Sequence, residues 1–216
     1  MLFHSFYCDN IDPRIVGLHK EACNIIGLNV QYHLESIAAL KAEGISPHHA
    51  HGRWMERLFD SQKEELIGFI DIDCIALCLS IVEAMKTEVK QNKTMTGVAQ
   101  CANHLPSRHV PYVAPAFMVA KRSLWNEIGR PGLVANGEAD TAQALTMTCL
   151  AKKIDFGLLL PESQALEGPS WPLADLGSFG IGTTYGNGRI FHLFQSSKGP
   201  SYLHLMEQQV SKLRTY

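Results

Sequence analysis

Apolar and polar positions alternate along this chain in two rhythms, one of period two and one near 3.6, and the switches between them predict its elements. Leu2 to Tyr7 reads as a first strand. Asp12-Pro13 then opens a helix, with a capping side chain followed by proline in the first turn, that runs to Ile26 and stops at Gly27. Leu28, Val30, Tyr32 and Leu34 alternate and mark a second strand with one buried face. A shorter helix is predicted from Ser36 to Ala42, and Gly44 and Pro47 introduce a loop, His48-His49-Ala50-His51-Gly52. Trp54, Met55, Leu58 and Phe59 share one face of a helix spanning Arg53 to Glu65.

The run Leu66-Ile67-Gly68-Phe69-Ile70 comes next as a core strand, and it ends abruptly in Asp71-Ile72-Asp73. Ile75 to Gln91 reads as a helix and Met95 to Cys101 as a strand. A polar loop then spans Ala102 to Pro111. Val113 to Ala120 is apolar but interrupted by Pro115, which suits an edge or bent strand. Lys121 to Ile128 predicts a short helix ended by Gly129, Ala139 to Lys152 a helix, and Asp155 to Leu160 a strand. Pro161 to Gly188 is rich in glycine and proline with little periodicity, and a loop of that length is usually a cover or a binding loop. Arg189 to Gln195 resumes a strand, and Tyr202 to Leu213 makes a terminal helix. Strands alternating with helices imply an α/β fold, a mainly parallel, Rossmann-like sheet with helices on both faces, and the length of 216 residues fits one domain over 1–216.

Composition narrows the function classes. The chain is 46% hydrophobic and 19% charged with a net charge of -2, an ordinary composition without a Lys/Arg run, which argues against nucleic acid as the main partner. No stretch approaches the roughly 20 apolar residues of a membrane helix, and the start of the chain does not read as a signal peptide. Six scattered cysteines without a CxxC pair predict reduced, mostly buried thiols and a cytoplasmic protein.

Two acids at the tip of a buried strand are unusual. Residues two apart on an extended chain point the same way, and in an open α/β sheet the ligand crevice lies beyond the carboxyl ends of the strands. Asp71 and Asp73 therefore suit a hard cation such as Mg²⁺, although the same pair also fits a loop in which both acids face water. His48, His49 and His51 invite a zinc reading, but the spacing does not match H-E-x-x-H.

Four segments in order resemble glycosyltransferases of the GT-A fold, the nucleotide-sugar-dependent kind of family 2. They are the strand ending in Asp71-Ile72-Asp73, similar to the family's Asp-x-Asp; Pro115 to Gly129, a small-residue strand leading into a K/R-R-x-x-φ-x-x-φ-G helix; Gly137-Glu138-Ala139-Asp140-Thr141, where the family keeps acidic residues; and Ile190-Phe191-His192-Leu193-Phe194, a late strand with a histidine. The likeness covers about residues 50 to 197.

The resemblance implies sugar transfer from a nucleoside diphosphate sugar donor to an unspecified glycan or small-molecule acceptor, assisted by Mn²⁺ or Mg²⁺ and inverting. It makes Asp73 the direct metal ligand, gives Asp71 to ribose or a metal-bound water, and makes His192 the third protein ligand. A mixed carboxylate and imidazole set favours Mn²⁺ over Mg²⁺. Glu138 and Asp140 are the candidate general bases, with Asp140 preferred; where the family shows adjacent Glu-Asp, Ala139 stands in the second slot. Tyr7, Cys8, Asp9 and Asn10 stand where the family receives the nucleoside, Glu35 is the acid in reach after the second strand, and His51, Trp54, Arg108 and His109 are candidate neighbours of the nucleotide. The stretch 161–188 is read as a cover over donor and acceptor. Two other functions share such a sheet: a sugar-phosphate nucleotidyltransferase, which wants a Gly-rich basic loop after the first strand, and an inactive nucleotide- or glycan-binding domain.

Overall fold

In the computed structural model, residues 1–165, 168–194 and 201–215 are described. The first half of the chain runs β1 (Phe3–Cys8), α1 (Pro13–Ile26), β2 (Val30–Glu35), α2 (Ile37–Ala42), α3 (Pro47–Ser61), β3 (Leu66–Ile70), β4 (Cys74–Ala76), α4 (Leu79–Gln91) and β5 (Met95–Gln100). After a 3₁₀ turn at Pro106–His109 come β6 (Tyr112–Lys121), α5 (Leu124–Glu127), α6 (Gln143–Lys152) and β7 (Gly157–Leu159). Four short strands come next, β8 (Pro161–Ser163), β9 (Ser170–Pro172), β10 (Ser178–Gly180) and β11 (Thr183–Tyr185), then β12 (Ile190–His192) and α7 (Leu203–Leu213).

The central sheet has the order β2-β1-β3-β6-β5-β7. β2, β1 and β3 run parallel, β6 is antiparallel to both β3 and β5, and β7 lies parallel to β5, so one strand of six is reversed. This is the mixed α/β, mainly parallel sheet that the alternation of elements predicts. Every residue of β3 is buried because the strand is covered on both faces. Ile67 and Phe69 pack with Trp54, Phe59 and Leu145 of α3 and α6, whereas Leu66 and Ile70 pack with Val82, Met85 and Val89 of α4. Each such side chain contributes about 1.5–3 kcal/mol on burial, which makes β3 a rigid mount for the two acids at its end.

Several boundaries differ from the sequence reading. His48, His49 and His51 lie in α3, not in a loop: Ser46 Oγ accepts the His49 N–H at 3.3 Å and Pro47 takes the first turn. The apolar residues from Ile75 onward do not all belong to a helix, since Cys74–Ala76 forms β4 and pairs with β12. β6 is a central strand despite Pro115, because the register against β5 shifts between Gly97 and Ala99 and the proline falls in that irregular stretch, where no ladder donor is required. Leu34 is 59% exposed, because β2 is the sheet's edge. α6 begins only at Gln143, behind an Ala142 held at φ +62°, so Asp140-Thr141 sits in a loop. Pro161 to Gly188 carries β8 to β11 rather than lacking structure, and the far end of the late strand, read through Gln195, lies outside the described residues.

Candidate active site

Backbone hydrogen bonds deliver the two acids. At the end of β3 the Asp71 N–H donates to Ala116 O of β6 at 2.9 Å, and the Cys74 N–H donates back to Asp71 O at 3.0 Å, closing a tight turn. That turn reverses the chain into β4, whose Cys74 stands opposite His192 of β12. The Leu193 N–H then donates to Asp73 O at 2.9 Å. Two residues 119 positions apart are thereby set side by side: His192 Nε2 lies 3.2 Å from Asp73 Oδ1.

Asp71, Asp73 and His192 offer one ligand atom each, all within 4.8 Å of one another, and among the described residues they are the group of His, Cys, Asp and Glu side chains able to hold a metal ion together. His48, His49 and His51 make no such cluster. Asp73 and His192 are buried, and His192 Nδ1 is buried without a hydrogen-bond partner. Burial, then the Asp73 carboxylate, pushes the Asp71 carboxyl well above the ordinary carboxylate range, with His192 opposing and Asp140 adding to the rise. A half-buried and a buried carboxylate stand beside an imidazole, oxygen and nitrogen donors of the kind that take a divalent cation, so the donor set fits such an ion.

A cavity of about 320 Å³ opens at this point, lined by Tyr7 and Cys8 at the end of β1 and Asn10 just after it, by His48 and His51 of α3, and by Asp71 and Asp73. Seven residues singled out in the sequence thus meet, Tyr7, Cys8, Asn10, His48, His51, Asp71 and Asp73, with His192 beside the two acids. Trp54, Asp9, Arg108, His109 and Glu35 do not line it. Trp54 is 5% exposed and packs edge-on and tilted among His33, Phe6 and His51, so it supports the cavity from the core. Asp9 Oδ1 accepts the Ile37 N–H at 3.0 Å and ties the β1 loop to α2. Arg108 and His109 lie exposed on a separate cleft with Asn103 and Asp175. Glu35 lines another cavity with Arg53 and Trp125.

Asp140 is held at both oxygens. Oδ1 accepts the Thr141 N–H at 2.8 Å and Oδ2 accepts the Tyr112 hydroxyl at 3.2 Å. Burial pushes the Tyr112 phenol far up, so it stays protonated and donating at neutral pH. The Asp140 N–H donates to Gln143 Oε1, which also takes the Ser107 hydroxyl. Glu138 instead is exposed, its backbone N–H bound to Asn136 Oδ1. Asp140 borders two further cavities, one with His48, His49 and His104 and one with Gln100, Trp171, Phe179 and Phe194. His48 borders the first and second of these cavities and Asp140 the second and third, so the three are neighbours, a segmented trough from the Asp71 end to the aromatic end.

Sequence reasoning passed over Tyr112, His104, Trp171 and Phe179. Trp171 and Phe179 carried a signal, as large aromatics within the glycine- and proline-rich stretch.

No helix among the described residues is long and apolar enough to cross a membrane, and all six cysteines are free. No family model matches the chain, and no curated protein matches it in sequence. Solved structures that it resembles are glycosyltransferases and nucleotidyltransferases. The catalytic domain of Drosophila β1,4-galactosyltransferase 7 is 8% identical with a TM-score of 0.44 over 73% of this chain and 63% of that one. The glycosyltransferase GlyE of Streptococcus pneumoniae is 9% identical with a TM-score of 0.46 over 73% and 44%. A putative glucose-1-phosphate thymidylyltransferase of Bacillus anthracis is 8% identical with a TM-score of 0.47 over 74% and 87%. The chain spans less than two thirds of the first two.

Proposed function

We propose that residues 1–216 form one catalytic domain that transfers a sugar from a nucleoside diphosphate sugar to an acceptor hydroxyl, with inversion and with a divalent cation. The observation that carries this reading is the convergence of Asp71, Asp73 and His192 within 4.8 Å at the mouth of a cavity framed by the end of β1. Asp73 and His192 would hold Mn²⁺ or Mg²⁺, with Asp71 beside them, and when bound the cation neutralises charge that grows on the leaving diphosphate. Tyr7 offers a ring for the base, and Asn10 and His51 offer polar groups to the ribose and diphosphate.

Asp140 is the general base. As the acceptor oxygen attacks the anomeric carbon, its proton passes to the Asp140 carboxylate, the bond from that carbon to the phosphate oxygen breaks, and the electron pair leaves on the nucleoside diphosphate. The Tyr112 hydroxyl and Thr141 N–H orient that carboxylate. Glu138, exposed and turned to the surface loop, is the weaker candidate. The Ala139 that stands in the family's second acidic slot is compatible with this assignment, because Asp140 one residue later is the acid at the trough.

A nucleotidyltransferase would hold a triphosphate after β1 with glycines and a basic residue. Here that loop reads Asp9-Asn10-Ile11-Asp12, acidic and free of glycine, which favours the transferase reading. Thermal-shift measurements with UDP, GDP, CDP and TDP, each with and without Mn²⁺, test the proposal, since a ligand bound only by the native state raises Tm. A rise that needs one nucleotide and the metal together is expected. No rise with any pair overturns the donor site.

A further inference from the structure

The aromatic end of the trough has a construction of its own. The rings of Trp171, Phe179 and Phe194 stand 5.8, 6.0 and 5.4 Å apart in their three pairings and form one wall of a cavity of about 470 Å³. Gln100, Asn103, His104 and Asp140 contribute polar groups to the same cavity. The wall is fixed in place. Asn103 Nδ2 donates to Pro172 O at 2.9 Å, and Thr183 Oγ1 both donates to Gly180 O and accepts the Gly180 N–H at 2.7 Å. A Cβ on Gly180 would lie 2.5 Å from Pro169 O, so the β9–β10 pair admits no side chain there. Phe194 is held at φ +61°, a conformation that a phenylalanine keeps only where its surroundings impose it, and its ring stacks on His192 with centroids 3.7 Å apart.

This pattern selects its occupant. A pyranose ring presents a face of C–H groups and a rim of hydroxyls, which matches an aromatic wall facing amides and an imidazole. A wholly apolar acceptor would cover the Gln100 side chain without giving it partners, at a cost in free energy. An anionic acceptor would meet the Asp140 carboxylate. We propose that this cavity is the acceptor subsite and that it takes a neutral saccharide stacked on Trp171, with one hydroxyl toward Asp140. The proposal rests on the glycosyltransferase reading for the role of Asp140, while the saccharide site itself stands on the cavity alone.

The test is binding to an array of neutral oligosaccharides by the whole chain, wild type, Trp171→Ala and Trp171→Phe, with the nucleotide and Mn²⁺ thermal shift measured on each. The expected result is retention of at least one glycan class, weakened about tenfold by Trp171→Ala and largely restored by Trp171→Phe, as the loss of one ring stack predicts. The nucleotide shift stays the same in all three. Retention unchanged in Trp171→Ala, or no glycan retained by a wild-type protein that still shows the nucleotide shift, overturns the saccharide subsite. Trp171-dependent glycan binding without any nucleotide shift overturns the donor reading and leaves the subsite standing. If circular dichroism shows that Trp171→Ala loses its fold, Gln100→Leu decides, with weakened retention expected and unchanged retention contrary.

Discussion

His192 and Asp73 face each other at 3.2 Å because β12 pairs with β4 in a register that sets His192 opposite Cys74. Neither residue reaches the other through local structure, so the pair reports a contact that only the folded chain makes. Removing either ligand should therefore abolish the cation effect without unfolding the protein. We expect Asp73→Ala and His192→Ala to lose the Mn²⁺-dependent part of the nucleotide thermal shift. A metal-dependent shift of wild-type size in either variant would exclude it from the ligand set.

Asp71 predicts a trade between stability and function. A carboxyl raised in the folded state contributes stability below its unfolded value, and that contribution is lost as pH rises through the folded value. At pH 8 the cation-free protein carries an ionised, half-buried Asp71 beside the Asp73 carboxylate. Asp71→Asn removes the charge at equal size, so its Tm at pH 8 should exceed that of wild type, by about 2–4 °C for each 1 kcal/mol relieved. The gain should shrink at pH 5, and the Mn²⁺ shift should weaken. A lower Tm at pH 8 would show that the carboxylate is already compensated within the protein.

For the base, Asp140→Asn should spare the nucleotide and Mn²⁺ shift and stop transfer, whereas Glu138→Gln should leave turnover near wild type. Tyr112→Phe removes the donor at Asp140 Oδ2 and should lower kcat by about tenfold, the worth of a hydrogen bond to a charged group, with little change in KM. Radiometric transfer assays separate these cases. Full turnover in Asp140→Asn would move the base elsewhere.

Legibility in the sequence tracks the range of the interactions involved. The cap at Asp12, the stop at Gly27 with φ +73° and the buried run into Asp71 are set within a few residues of one another, and they appear where expected. The start of α3 is equally local, written in Ser46-Pro47, but Gly44 and Pro47 around it read as the opening of a loop, because a proline serves a turn as well as the first turn of a helix. β4 is different. Its helix-like continuation into Leu77 and Leu79 conceals a strand whose partner lies more than a hundred residues away, and no local pattern announces that pairing. The same holds for the aromatic wall, whose rings come from β9, β10 and the segment after β12.

Gly52 tests how the loop bearing Asp140 is positioned. A Cβ at this point of α3 would stand 2.5 Å from Leu133 O and from Val134 Cα, both backbone atoms that cannot rotate away. Overpacking of this kind typically costs about 1–3 kcal/mol. Gly52→Ala should lower Tm by several degrees. Because Ala142 N–H donates to Leu133 O, the displacement should also lower kcat more than it weakens nucleotide binding. Equal loss in both would place the effect on the fold as a whole.

Buried histidines set the acid limit of stability. Burial holds the imidazoles of His4 and His19 down at about 4 from an ordinary 6.5, with the His33 ring adding to the effect at His4, and both side chains are almost wholly enclosed. Both stay neutral in the folded protein over a range in which the unfolded chain protonates them. The unfolded state then binds more protons between pH 6.5 and about 4, so stability falls as pH drops through that window, by at most about 1.4 kcal/mol per pH unit for each ring. Asp71 acts in the opposite sense over part of this range, so the cleaner measurement is Tm against pH in the Asp71→Asn background. There the curve should decline steadily from pH 6.5 to about 4; burial also lowers the His51 imidazole to about 4 and the His33 imidazole in the same direction, so replacing His4 with Phe should flatten the curve only in part. A profile flat across that interval would mean that the buried rings find compensation in their protonated form, and the acid limit would then lie with the carboxylates.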